Sequence, residues 1–139
     1  DPGVNIALPE FAKGRSDIMV THCASHVLGP KYEHGCNAGS ADLAAKWDDD
    51  DWYGPRRLER QVEQIVAGKA DIVSFKEQYA LLIPNGTWWK PLHNHRHSYH
   101  DGTLVFRKSA LKMAQLGRCS LGESAIFVRK AVRVPQTMP

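Results

Sequence analysis

The stretch that decides the fold is KWDDDDWYGPRRLERQVEQIVAG, Lys46 to Gly68. Four consecutive aspartates, Asp48 to Asp51, lie between Trp47 and Trp52 and stop at the Gly54-Pro55 turn. Beyond the turn, Leu58, Val62, Ile65 and Val66 fall at i, i+4, i+7 and i+8, an apolar stripe with helical period. Pro55 suits the first turn of that helix and Gly68 its C-terminal stop. ADIVSF (70–75) then reads as a short buried strand, so residues 55–75 form an αβ unit.

Working outward, LAAKW (43–47) and DIMVT (17–21) are strand candidates, with a helix expected from about Lys31 to Gly39 between them. Strand, helix, strand, helix, strand predicts an α/β sheet. YALLIPNGTWWK (79–90) predicts a hairpin, two apolar runs around an Asn-Gly turn, and HNHRHSYH (93–100) a polar loop. GTLVF (102–106) reads as another strand, KSALKMAQLG (108–117) as a short helix, and GESAIFVRKAV (122–132) as a last helix. There is no internal repeat, heptad or low-complexity tract.

The 139 residues fit one domain, 1–139, and a composition of 42% hydrophobic and 24% charged residues is that of a folding chain rather than a disordered one. A formal charge of +3, with basic residues scattered over 56–60, 107–118 and 129–133, argues against a nucleic-acid partner. Cys23, Cys36 and Cys119 are odd in number and widely spaced, which excludes a C-x-x-C zinc knuckle and makes reduced, cytoplasmic thiols the expectation. No apolar stretch approaches the roughly 20 residues of a bilayer span, and DPGVNIALPE has no signal-peptide pattern. The first residue is Asp rather than Met, and the chain reads as a piece of a longer polypeptide.

With a strand before it and a helix after it, the acidic run lies at the C-terminal end of a strand, the edge where open α/β sheets bind ligands. Like charges about 4 Å apart repel by roughly 1 kcal/mol in water and by more where water is scarce. The helix N-terminus supplies one counter-charge, and an acidic loop capping a helix is the plain structural reading. A hard divalent cation, which takes carboxylate oxygens and completes its shell with water or phosphate, is the functional one. Trp47, Trp52, Tyr53 and the fixed Gly54-Pro55 turn favour the second, since a merely solvated run needs none of them.

KWDDDDWYGPRRLERQV resembles the metal-binding signature of nucleotide-sugar glycosyltransferases with the GT-A fold, in particular the large inverting family two. There an acidic Asp-x-Asp-Asp stretch ends a strand and is followed by bulky residues, a Pro and a Leu. Asp48 and Asp50 match the ends of Asp-x-Asp, Asp51 its acidic follower, Pro55 the Pro and Leu58 the Leu. LGPKYEHGCNAGSADLAAKW (28–47) is similar to the family's lead-in helix and strand. DGTLVFRKSAL (101–111) is similar to the segment in which a Gly precedes a strand ending at a basic residue, and LGESAIFV (121–128) resembles the stretch opening the helix that carries the acid-base group.

The resemblance implies a GT-A-like mixed sheet flanked by helices, in a partial or trimmed version, and transfer of a sugar with inversion from a nucleotide-diphosphate sugar to a glycan, lipid or protein acceptor. Mg2+ or Mn2+ would be held by Asp48, Asp50 and Asp51, neutralising charge on the leaving group, with Glu123 as the base that takes the acceptor's proton. Asp17 would stand for the Asp that reads the nucleobase, and Arg56 would meet the diphosphate. Two features depart from the family pattern: Glu123-Ser124 replaces the usual Glu-Asp, and residues 1–27 are too few for the family's opening strands. They favour the alternative of a non-catalytic GT-A-derived module, acting in carbohydrate binding or as a structural part of a larger assembly such as a viral or phage particle.

His93, His95, His97 and His100 suggest a further alternative, a zinc or copper site on an extended segment; a loop lining the acceptor cleft, with one His completing the metal shell, is the competing reading. Trp88 and Trp89 alternate in direction if they lie on a strand, so one is expected in the core and one on the surface as a sugar-stacking platform.

Overall fold

A computed structural model describes residues 10, 13–77, 79–90, 100–114, 116–117, 127–128 and 136–138. Its elements are α1 (Leu28–Ala38), β1 (Leu43–Ala45), α2 (Arg57–Val66), β2 (Ile72–Phe75), β3 (Ala80–Leu82), β4 (Thr87–Trp89), β5 (Val105–Arg107), α3 (Ser109–Met113) and β6 (Gln136–Met138). A four-stranded sheet runs β1-β5-β2-β6, and β3 and β4 form a separate hairpin. Strand β5 is antiparallel to both neighbours, so β1 and β2 run the same way; β6 lies parallel to β2. The sheet is therefore mixed and the class α/β, as the alternation of patterns predicts.

Successive side chains of a strand point to opposite faces, and the core divides accordingly. On one face Ile72, Leu104 and Phe106 pack with Ala110, Ala114, Leu116, Phe127 and Val128, joined by Tyr32 and Cys36 of α1. On the other, Val73 and Val105 pack with Ile65 and Ala70, joined by Leu43 and Val62. Phe106 and Phe127 meet at 5.0 Å between ring centres with planes tilted by 59°, a pairing that contributes about 1 kcal/mol beyond its burial. Helices thus cover both faces.

Four sequence expectations need correction. Residues 17–21 form no strand: Asp17 is paired with Arg15, and Met19 and Val20 are 60% and 42% exposed. Gly102 and Thr103 belong to a 3₁₀ turn, Asp101–Thr103, and the strand begins only at Val105. Trp88 and Trp89 are both exposed, as is Leu81 on the partner strand of the two-stranded ribbon. Most informative is α2, whose buried residues are Arg57, Gln61 and Ile65, while Leu58 and Val66 of the apolar stripe are 41% and 71% exposed. The expected helix at 108–117 is shorter, 109–113, and that at 31–39 longer, 28–38. Of the expected last helix, Phe127 and Val128 are helical and the other positions lie outside the described residues.

Candidate functional site

The C-terminal ends of β1 and β2 and the start of β5 meet at one edge of the sheet, and the segments 46–56, 75–77 and 100–104 lie there. The chain returning at His100 is fixed to the end of β2. His100 N donates to Phe75 O at 2.9 Å and to Ser74 Oγ at 3.0 Å, and Phe75 N donates to Thr103 Oγ1 at 3.0 Å. Ser74 and Thr103 are buried and lie 3.1 Å apart through their hydroxyls. From β1, Lys46 N donates to Leu104 O at 2.8 Å.

The polar stripe of α2 completes the frame. Gln61, fully buried, donates through Nε2 to Thr103 O at 2.6 Å and Val73 O at 3.3 Å, and accepts from Arg57 Nε at 3.2 Å. Arg57 Nη2 donates to Lys46 O at 2.6 Å and to Gly102 O at 3.1 Å. Strand ends present backbone carbonyls that need donors, and a polar helix face supplies them where an apolar one would leave each unmet at about 1–3 kcal/mol.

On this frame the acidic run folds back over Gly102. A Cβ placed on Gly102 would meet Asp48 Oδ2 at 2.5 Å, Asp51 Oδ2 at 3.1 Å and His100 Cε1 at 3.2 Å. Two carboxylates thus converge on one buried glycine, and only glycine leaves them room. Tyr53 ties the corner together: its hydroxyl accepts from Asp48 N at 3.2 Å and lies within donating distance of Gly102 O, 3.0 Å, and Asp51 Oδ2, 3.2 Å. Asp101 adds a further carboxylate, ion-paired with Lys46, whose ammonium also lies 4.7 Å from the centre of the Tyr32 ring.

The electrostatics are those of crowded like charge. Burial pushes the Asp48 carboxyl up, and Asp101, Asp51 and Asp50 push it further, against the pull of Lys46. For Lys46, burial acts downward, but the Asp101 carboxylate more than offsets it and the ammonium is held well above its usual range. Burial likewise raises the Tyr53 phenol and lowers the Arg57 guanidinium, with the charges of Asp48 and Asp51 opposing the latter.

Of the sequence-predicted residues, Asp48 and Asp51 are brought together, whereas Asp50 stands exposed in the turn at 49–50, close enough to act on Asp48 through its charge. Asp17 lies in a coil paired with Arg15, and Arg56 is exposed at the start of α2 and paired with Glu59. Glu123, Ser124, His93, His95 and His97 lie outside the described residues. Sequence reading marked Tyr53 as a flank of the acidic run and Arg57, like Arg56, as a flank of the helix start that a diphosphate would suit, without their bonds in the corner. It missed Lys46, Gln61 and Asp101 as parts of it. For Arg57 and Gln61 a signal existed: they sit at i and i+4 from one another, and Ile65 follows at i+8 on the same face.

All contributors from the acidic run are oxygen donors, the type that Mg2+ or Mn2+ prefers, and the Gly102 cradle holds two of them on one side of a small space. Among the described residues no three His, Cys, Asp or Glu side chains are set to hold a metal by themselves. A cation here would therefore complete its shell with water or with oxygens of a ligand. One cavity, about 590 Å³ beside Arg107, Lys108 and Lys112, opens at the opposite end of β5. A smaller one of about 250 Å³ adjoins the corner between Tyr32, Lys46 and Trp47. The chemistry follows the carboxylates rather than the larger volume.

No helix among the described residues is long and apolar enough to cross a membrane. Comparison of the chain with protein-family models, curated proteins and solved structures returns no match.

Proposed function

We propose that this chain is a GT-A-like domain that uses a divalent cation to act on a nucleotide-diphosphate sugar, transferring the sugar with inversion to a hydroxyl acceptor. The observation that carries the proposal is the convergence of Asp48 and Asp51 over Gly102 at the C-terminal end of β1. The mixed sheet supports it, as does Gly102 itself, the glycine that the resemblance puts ahead of the strand ending at Arg107. Asp48 and Asp51, with Asp50 beside them, would hold Mg2+ or Mn2+. Such a cation supplies neutralisation of the diphosphate leaving group.

The chain's own residues divide the remaining work. Tyr53 and the glycine cradle orient the two carboxylates, Lys46 holds Asp101 out of the cation's place, and the acceptor's proton goes to Glu123. The hairpin β3–β4 follows the end of β2 in the chain, which lies at the same edge. Its exposed Trp88 and Trp89 are the surface on which a sugar of the acceptor would rest.

A calorimetric titration with Mn2+, alone and after addition of UDP or GDP, tests the reading. Metal binding that tightens in the presence of the nucleotide supports the transferase; heat from neither removes it and leaves the non-catalytic module. One observation favours that second reading: Lys46 and Arg57 already place two cations against the acidic corner.

A further inference from the structure

A guanidinium carries five N–H donors and a permanent charge, and burying it costs several kcal/mol unless donors and charge are both met. Arg57 is 4% exposed. Its Cζ lies 4.1 Å from the centre of the Tyr53 ring and 4.6 Å from that of Trp47, and those two rings meet edge to face at 4.5 Å. The guanidinium and the two rings thus form one compact cluster, with the charge against both rings on the same side. Nε and Nη2 are spent on Gln61, Lys46 O and Gly102 O, while Nη1 is buried without a hydrogen-bond partner among the described residues.

The two carbonyls are the informative ones. Lys46 O lies two residues before Asp48 on the strand end, and Gly102 O belongs to the glycine over which Asp48 and Asp51 converge. A single Nη2 joins these backbones, 56 positions apart in the chain, one of them the glycine on which the carboxylates converge. Its neighbour Tyr53 bonds the same Gly102 carbonyl from the other side.

We propose that Arg57 is the positioning residue of the cation site: its guanidinium, packed against the touching rings of Trp47 and Tyr53, bridges Lys46 O and Gly102 O, sets the separation of the β1 end from Gly102 and so the convergence of Asp48 and Asp51. The inference rests on the metal-site reading above. Lysine cannot substitute, since a point charge on a flexible stem gives neither the planar fork nor the stack.

The test compares Mn2+ affinity, by calorimetry and by the electron paramagnetic resonance of bound Mn2+, with the denaturation midpoint of the same preparations of the full chain. Arg57→Lys is expected to weaken Mn2+ by about 10- to 100-fold, the usual effect of losing a partner that orients metal ligands, and to change the resonance of the ion still bound. Trp47→Leu, at a half-exposed position, removes one of the two rings against the guanidinium and is expected to weaken Mn2+ by about threefold with its midpoint retained. Glu63→Ala, on the solvent side of the same helix, leaves both readouts unchanged. If Arg57→Lys does not fold, Trp47→Leu decides. Wild-type affinity in a folded Arg57→Lys chain, or in Trp47→Leu, overturns the positioning role and leaves the metal site standing. No Mn2+ binding by the wild-type chain overturns the metal site and this inference together.

Discussion

The two long faces of α2 depart from the usual arrangement: the helix is turned partly off its apolar stripe, keeping Ile65 and Val62 on the core. One face buries Arg57 and Gln61 ahead of Ile65, and the other leaves Leu58 and Val66 in solvent. Hydrophobic burial alone would turn the helix the other way, since a fully buried Leu or Val contributes about 1.5–3 kcal/mol. What outweighs it is the row of backbone carbonyls at the sheet edge, at Lys46, Val73, Gly102 and Thr103, each of which takes a donor from the polar face. A helix that meets strand ends rather than strand middles is oriented by hydrogen-bond demand. Here that demand comes from the same backbone that carries the acidic corner.

Breaking the buried face has the largest effect. Gln61→Ala leaves Val73 O and Thr103 O without their side-chain donor and opens a void beside Arg57, so a loss of about 3 kcal/mol is expected from chemical denaturation. Gly102→Ala acts on the corner above that face. The added methyl collides with the Asp48 carboxylate, which must rotate away; stability falls by about 1–2 kcal/mol while Mn2+ affinity falls by tenfold or more. The split between a modest loss of stability and a large loss of affinity separates a ligand-holding cradle from a packing glycine.

A smaller effect tests the corner's charge. The Asp48 carboxyl is pushed up by burial and by its acidic neighbours, so the folded chain holds that proton more tightly than the unfolded one. Its contribution to stability is then present in acid and is lost as pH rises through the raised folded value. Asp48→Asn removes this decline: the variant is expected to be the more stable chain at neutral pH without metal, the difference closing in acid, as thermal melts over a pH series would record. Saturating Mn2+ should reverse the order at neutral pH, because only the wild type gains from binding. Smallest of all is the solvent face, where Val66→Ser is expected to shift stability by no more than about 0.5 kcal/mol.

Local signals made much of this legible from the sequence. The period of residues 55–68, the Asn85-Gly86 turn and the short apolar runs at 43–47 and 70–75 each act over a few residues, and each marks an element close to its observed place. What escaped depends on contacts distant in sequence. Strand β5 inserts between β1 and β2, pairing Ala44 with Phe106, and no local pattern encodes that neighbour. The face of α2 is chosen by carbonyls at Gly102 and Thr103, more than 40 positions away, and Lys46 finds Asp101 across 55. Residues 17–21 show the converse failure: their composition suits a strand, but among the described residues they pair with none. In the candidate site, the sequence pointed to Asp48, Asp50 and Asp51 alike; the fold of the loop brings Asp51 to Asp48 through Tyr53 and leaves Asp50 exposed beside them. Spacing along a loop does not determine which of its side chains converge.

The most direct test is anomalous diffraction at the manganese edge from crystals of the chain grown with MnCl2 and UDP. The account predicts one dominant manganese peak bonded to the carboxylates of Asp48 and Asp51 above Gly102. A corner without manganese, or a dominant peak on the histidines of 93–100, would contradict it.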